Sequence, residues 1–333
     1  MKNKRFRKKE AAVFFVDILG INALTRGSID IDKLKEEINL NIYSLEFDDN
    51  NDTITHQNIA AWILEEFRII LCEISKKYNV KISQLSDCAF IWSEESGDLL
   101  LASSEFMWRV ITSGILCRGG LSYGEVIEPY IDNREIGNFL VGDAVTLSVQ
   151  HEKSGKGCRI FTDSNAIATF WKNFPYKKTN PNKAHEIYNA IFQPMVNPVD
   201  YSILDEFKWY LFFDLEQELR SNCDISHPRH ALYMGGLVSL LRFSPFFAWN
   251  TLTKEGLVHL AASIEAISSN IEYHTGNSDM KLSAEDIILW LPQQRKSNQR
   301  IINFLRSYCV DIFSSNRLFE TEVNILIKKI SNE

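Results

Sequence analysis

Residues 11 to 16 (Ala-Ala-Val-Phe-Phe-Val) are apolar without a break and run into Asp17 and Gly20. A run this short and solid, closed by a turn signal, predicts a central strand buried on both faces. Leu34, Ile38 and Ile42 share one helical face, so Lys33 to Leu45 predicts a helix, and Asp48 to Asp52 a polar loop. Ile59, Ile63, Phe67, Ile70 and Ile74 recur at threes and fours, which predicts a long amphipathic helix from Asn58 to Tyr78. Val80 to Trp92 reads as two short strands around a tight turn at Ser86-Asp87. Leu99 to Leu116 predicts a second helix, and Cys117 to Ile127 a strand carrying three glycines. Asp143 to Glu152 begins another helix, with Val145 and Val149 on one face, and Gly157 to Thr162 is a short strand.

The order is strand, helix, hairpin, helix, strand, helix, strand. It predicts an α/β fold with a mixed, largely antiparallel sheet flanked by helices, of ferredoxin-like type rather than doubly wound. From about residue 200 the texture becomes helical: 204 to 219, 230 to 243, 253 to 271, 283 to 291 and 297 to 312 all carry helical spacing. The expected organisation is a charged leader at 1–10, a catalytic unit at 11–199 and a helical C-terminal region at 200–333. The leader, basic from Lys2 to Lys9, reads as a solvated tail. No internal repeat is visible.

Composition narrows the class. Of 333 residues, 45% are hydrophobic and 24% charged, which suits a globular chain. No apolar run approaches the ~20 residues of a membrane-spanning helix, so membrane insertion is not expected. The basic start is followed by an apolar stretch interrupted by Asp17, which is no secretory signal. A net charge of -7 argues against stable binding to nucleic acid. Six cysteines contain no CxxC pair, and most lie in apolar runs such as Ile70-Leu71-Cys72. They read as buried free thiols in a reducing cytoplasm. The one close histidine pair, His227 and His230, is split by Pro228 and reads as ordinary structural or surface histidines.

Two carboxylates stand apart. Asp17 ends a buried strand, and Asp87 sits at a hairpin tip. A carboxylate at the end of a buried strand is costly unless it meets a cation or donors. If the two strands are neighbours, a hard divalent cation resolves both charges, because Mg²⁺ or Mn²⁺ takes oxygen ligands. Two such ions neutralise and position a triphosphate, and backbone N–H groups after Asp17 suit phosphate. Taken singly, each Asp is a simple cap.

Phe15-Val16-Asp17-Ile18-Leu19-Gly20-Ile21 resembles the first metal-binding motif of class III nucleotidyl cyclases, the adenylate and guanylate cyclase homology domain. Ser86-Asp87-Cys88 resembles their second metal-binding hairpin, and Arg118-Gly119-Gly120-Leu121-Ser122-Tyr123-Gly124 their Arg-x-Gly-Ile-x-x-Gly strand. Val141-Gly142-Asp143-Ala144-Val145 and Glu152 resemble the start and close of a family helix. The resemblance covers roughly residues 11 to 170. It implies a homodimer with composite sites and two divalent ions, Mn²⁺ or Mg²⁺, on Asp17, Asp87 and the Ile18 carbonyl. It also implies attack of the ribose 3′-hydroxyl on the α-phosphorus, with Leu19, Gly20 and Ile21 along the substrate.

The departures shape the expected substrate. Where purine cyclases carry a base-reading Lys or Glu, this chain has Ser83; where they carry Asp or Cys, it has Phe139. A small hydroxyl and a bulky ring suit a smaller base. In this the chain resembles the bacterial pyrimidine cyclases of the Pycsar anti-phage system, which implies a cytoplasmic enzyme using CTP or UTP; Ser83 can donate or accept and does not decide between them, and CTP is taken first. Its cyclic product would then activate a separate effector. The family's transition-state Asn and Arg fall on Thr146 and Gln150, which bring no positive charge. Arg118, Lys153, Lys156 and Arg159 are the basic candidates for that role. Glu125 stands where some cyclases carry a phosphate-binding Arg, and Tyr43 is a candidate stacking aromatic. A degenerate nucleotide sensor and an adenylate or guanylate cyclase are the competing readings.

Overall fold

The computed structural model describes residues 5–37, 54–131, 138–174, 177–196, 203–212, 252–268 and residue 303. Its centre is β1 (Phe6–Ile18), in which Ala11 to Val16 are buried without exception. After β1 come two short helices, α1 (Ile21–Thr25) and α2 (Ile31–Glu37), then the long α3 (His56–Lys77). The hairpin β2 (Lys81–Leu85) and β3 (Cys88–Ser93) follows, then α4 (Ser96–Thr112) and β4 (Cys117–Pro129). The remainder comprises α5 (Asp143–Glu152), β5 (Ile160–Thr162), α6 (Ser164–Lys172), α7 (Pro181–Ile191), β6 (Phe192–Val196), β7 (Ile203–Phe207) and α8 (Lys254–Ser268).

The seven strands form one sheet in the order β2-β3-β1-β4-β5-β7-β6. Every pairing is antiparallel except β4 with β5. The first four strands, with α3 and α4 as crossovers, give the expected ferredoxin-like α/β order.

Strand alternation explains the two layers. Ala12, Phe14, Val16 and Ile18 belong to the large core beneath α3 and α4. Phe106 of α4 meets Phe14 and Phe67 of α3 edge-on, with ring centroids 6.3 and 5.5 Å away. The helix α3 begins at a reciprocal cap between Thr55 and Asn58, and its expected stripe of Ile59, Ile63, Phe67, Ile70 and Ile74 is buried. Ala11 and Val13 face the other way, into a small cluster with Trp92, Val126 and Ala144 of α5. There the backbone of α5 lies directly on β4. A Cβ at Gly120 would stand 1.9 Å from the Ser148 carbonyl oxygen, so only glycine permits the approach.

Three expectations change. The leader is no solvated tail where it is described: Phe6 to Glu10 pair with β4, from Phe6 opposite Pro129 to Glu10 opposite Glu125. Lys9 lies 3.0 Å from Glu128 and 2.9 Å from Glu94, anions too distant in sequence for the charge run to reveal them. Ile203–Phe207, expected to begin a helix, is a strand between β5 and β6. A short apolar run fits either period, and here the open sheet edge decides. Cys72 is exposed rather than buried, while Cys117 and Cys158 are buried thiols. The expected helix at 253 to 271 is present as α8. Most of the other expected C-terminal helices, with Cys223, Cys309, His227 and His230, lie outside the described residues, as does Lys33 to Leu45 beyond residue 37. No helix among the described residues is long and apolar enough to cross a membrane.

Candidate active site

The register of β1 brings the two carboxylates together. Asp17 pairs with Cys88 on one side and Arg118 on the other, so the hairpin tip at Asp87 lies beside the end of β1. The Ile18 N–H donates to the Asp87 carbonyl at 3.0 Å. The tip is tight: Ser86 sits at φ 57°, a left-handed conformation that costs a non-glycine residue about 1 kcal/mol.

Asp17 and Asp87 line one cleft of about 430 Å³ with Ile18, Leu19, Gly20 and Ile21. Arg26, Arg118 and Lys156 are its cationic residues. A third wall comes from the C-terminal region, where Thr253, Glu255, Gly256 and His259 of α8 and its approach line the same space.

The electrostatics of this cleft are unbalanced. Burial pushes the Asp17 carboxyl up to about 7, and the neighbouring Glu152 and Asp87 push the same way; Arg118 only partly opposes them. Arg118 is already engaged. Its Nε donates to Glu152 at 2.7 Å and a terminal nitrogen donates to the Gly155 carbonyl at 2.7 Å, so it neutralises the buried Glu152 and ties down the turn after α5. Burial, with Asp17 and Asp87 adding to it, pushes the Cys88 thiol up to about 11, which leaves it protonated. Burial also holds His259 down at about 4, so it is neutral, and its Nδ1 accepts from the Gly157 N–H at 3.1 Å.

The donor set suits a hard divalent cation. Two carboxylates at one point, one of them unable to hold its charge comfortably, match the one or two carboxylates with which Mg²⁺ sites complement substrate phosphates and water. Among the described residues no group of three or more His, Cys, Asp or Glu side chains could cage a metal alone.

The other expected site residues lie elsewhere. Ser83 and Phe139 are neighbours: the Ser83 hydroxyl donates to the Asn138 carbonyl at 3.3 Å, and half-exposed Phe139 meets Phe6 at 5.9 Å. Ser83 pairs with Phe90, which pairs with Phe15. Ser83, Phe90 and Phe15 thus form one row across the sheet, next to the row of Leu85, Cys88 and Asp17 on the same face, and the Phe15 and Phe90 rings meet at 4.8 Å between centroids. Thr146 is exposed and donates to Gly142 of its own helix, and Gln150 is exposed. Neither lines the cleft with Asp17. Tyr43 lies outside the described residues. Arg26, Thr253, Glu255 and His259 went unmarked in the sequence, because nothing in helical spacing says which helix roofs which cleft.

No protein-family model matches the chain, and no curated protein matches it. Among solved structures it is similar to the guanylyl cyclase domain of the RhoGC fusion protein from the aquatic fungus Blastocladiella emersonii. The two are 14% identical, over 61% of this chain and 97% of that one, with a TM-score of 0.39. It is also similar to the guanylyl cyclase Cya2, 12% identical over 61% of this chain and 93% of that one, TM-score 0.39. A third is the adenylyl cyclase CyaB from P. aeruginosa, 12% identical over 61% and 96%, TM-score 0.38.

Proposed function

We propose that this protein is a nucleotidyl cyclase that closes a pyrimidine nucleoside triphosphate, CTP ahead of UTP, to its 3′,5′-cyclic monophosphate. The observation that carries the reading is the meeting of Asp17 and Asp87 in one cleft, at the two places where the sequence resembles the cyclase metal motifs. Asp17, Asp87 and the Ile18 carbonyl would hold two divalent ions, Mn²⁺ or Mg²⁺. When bound, these supply charge neutralisation at the triphosphate and polarise the α-phosphoryl group. The chain's own task is positioning: the cleft orients the triphosphate so that the ribose 3′ oxygen bonds to the α-phosphorus as the bond to pyrophosphate breaks. The pyrophosphate and the hydroxyl proton leave to solvent.

Ser83, Phe139, Thr146 and Gln150 fit this reading through a homodimer. They then act across the interface on the substrate held in the other copy's cleft. The pyrimidine preference rests on Ser83 and Phe139 replacing a purine-reading charged pair. The product's role as a messenger for a separate effector in cytoplasmic anti-phage defence rests on the sequence resemblance. A second reading, a nucleotide sensor without turnover, draws on Thr146 and Gln150 bringing no positive charge.

The test is incubation of the purified protein with ATP, GTP, CTP and UTP in turn, with Mn²⁺ and with EDTA, the product identified by mass. A cyclic pyrimidine nucleotide that disappears in EDTA is expected. Asp17→Ala and Asp87→Ala should each lower turnover by about a thousandfold or more. Wild-type rates in both variants would sink the assignment. Metal-dependent binding without product would favour the sensor, and a cyclic purine the third reading.

A further inference from the structure

Of Arg118, Lys153, Lys156 and Arg159, the basic residues marked in the sequence, the structure leaves one to meet a phosphate chain alongside Arg26, which lines the same cleft at the end of α1. Arg118 is committed to Glu152 and the Gly155 carbonyl. Arg159 is buried beside Glu206, and neither it nor exposed Lys153 lines the cleft. Lys156 does line it, in a turn that α8 holds from above. The Gly157 N–H donates to His259, and the Cys158 N–H donates to the Ser263 hydroxyl at 2.7 Å. A Cβ at Gly157 would stand 2.9 Å from the Ser263 nitrogen, so the turn and the helix are in backbone contact. Across this junction the Lys156 ammonium faces Glu255 on the first turn of α8 at 3.4 Å, the one anion paired with it among the described residues, and the His259 Nε2 stands 3.8 Å from the same carboxylate oxygen. The 3.4 Å separation marks a loose pair, and the Glu255 side chain is 73% exposed. It projects an acidic group into a cleft that already holds Asp17 and Asp87.

We infer that Lys156 is a phosphate-gripping residue of this cleft, beside Arg26, and that Glu255 is its resident counter-ion, which an incoming polyphosphate must displace. The inference rests on the triphosphate reading above and adds a regulatory element to it. The helix α8 is a cover whose first turn competes with substrate for the same ammonium. Two charges favour the exchange. A polyphosphate offers Lys156 a denser anion than one carboxylate, and Lys156 holds Glu255 with the weak grip of a partly exposed pair. One charge opposes it, because Glu255 repels the anion as it enters. Neutralising Glu255 therefore helps binding twice, while neutralising Lys156 removes the grip.

The experiment measures binding of inorganic tripolyphosphate with saturating Mn²⁺ by calorimetry, on the full chain and on Glu255→Gln, Lys156→Met and the double variant. Glu255→Gln is expected to tighten binding about fivefold, and Lys156→Met to weaken it about tenfold. In the Lys156→Met background, Glu255→Gln should change binding less than twofold, because the ammonium it releases is gone. Unchanged or weaker binding in Glu255→Gln overturns the proposal. So does equal tightening in both backgrounds, which would make Glu255 a general repulsive charge. Absence of tripolyphosphate binding in every form overturns it as well. The four-nucleotide assay separates this inference from the one beneath it. Coupled binding without any cyclic product leaves the Lys156–Glu255 exchange standing and removes the cyclase; cyclic product without coupling does the reverse.

Discussion

Glu128 and Asp17 are carboxylates on the same face of the same sheet, at opposite ends of the β1–β4 ladder, and the protein treats them differently. Glu128, 1% exposed, receives Lys81 at 2.8 Å, Lys9 at 3.0 Å and the Trp92 indole N–H at 3.0 Å. Burial alone would raise its carboxyl, but Lys81, Trp92 and Lys9 more than offset that, and the net shift is downward. Asp17 is less buried and yet shifted up to about 7, because burial, Glu152 and Asp87 outweigh Arg118. One end of the ladder resolves its charge from within the fold. The other leaves charge over, at a cleft, for something that comes from outside. A buried carboxylate with three partners is architecture; a half-buried one with two acidic neighbours is a place for a ligand.

The comparison breaks if the two residues respond alike to neutralisation. Glu128→Ala is expected to cost about 2–3 kcal/mol, since it leaves the buried Trp92 indole N–H without an acceptor and takes the buried carboxylate from Lys81 and from Lys9, which keeps Glu94. In a denaturant titration the midpoint should fall with little change of slope. Asp17→Asn should cost nothing in the metal-free protein above pH 7. A loss in Asp17→Asn as large as in Glu128→Ala would make Asp17 structural and remove the main support for the cleft as a catalytic site.

Much of this contrast was visible in the sequence, and the reasons are local. Asp17 follows an apolar run whose length and purity mark a central strand, and Asp87 sits at a turn between two strand-like runs. Adjacency of those strands is all that is needed to bring the acids together. The compensation of Glu128 was invisible. Its partners are 47 and 119 positions away (128 − 81 and 128 − 9), and Lys9 lay in a charge run that reads as solvent-exposed. The roof of the cleft was hidden for the same reason. The His259 and Ser263 side chains accept from the N–H groups of residues 157 and 158 across about a hundred positions, contacts that helical periodicity does not encode. Likewise β6 and β7 are not legible because five-residue runs such as Phe-Gln-Pro-Met-Val and Ile-Leu-Asp-Glu-Phe take their period from the neighbour they pair with.

The pH axis sharpens the contrast further. An ordinary aspartate ionises near 3.8, and Asp17 in the fold near 7. Between those values the folded state holds the proton and the unfolded state has released it. Stability therefore falls as pH rises through this window, and the penalty is complete above pH 7. Discounted for the solvent that reaches the cleft, the effect is about 1–2 kcal/mol. Metal-free Asp17→Asn should melt about 2–4 °C above wild type at pH 8 and level with it at pH 4. Added Mn²⁺ should raise the wild-type midpoint at pH 8 and leave Asp17→Asn unmoved. A Glu128 variant should show the opposite trend, its deficit growing as pH rises to the ordinary glutamate value of 4.5 and staying level above it, because the wild-type carboxylate gains its partners only when ionised. Equal melting of wild type and Asp17→Asn at both pH values would mean that burial, Glu152 and Asp87 do not hold the Asp17 carboxyl up.

The smallest expected effect concerns the corner of the sheet that holds Ser83 and Phe139. It carries no unresolved charge: Ser83 donates to a main-chain carbonyl and Phe139 rests on Phe6. Substitution there should barely alter stability, because Ser83 is only partly buried and Phe139 is 50% exposed. If these two positions read the base, Ser83→Lys with Phe139→Asp restores the charged pair of purine-reading sites. The ratio of ATP to CTP turnover should then rise about tenfold, the scale of a single well-placed hydrogen bond. The Asp17–Asp87 cleft should be untouched, so metal dependence and melting temperature are expected to stay at wild-type values. A changed nucleotide ratio with unchanged metal dependence would establish that specificity and charge handling are separate regions of one sheet face. An unchanged ratio would move base recognition elsewhere and leave Phe139 as a ring that covers Phe6.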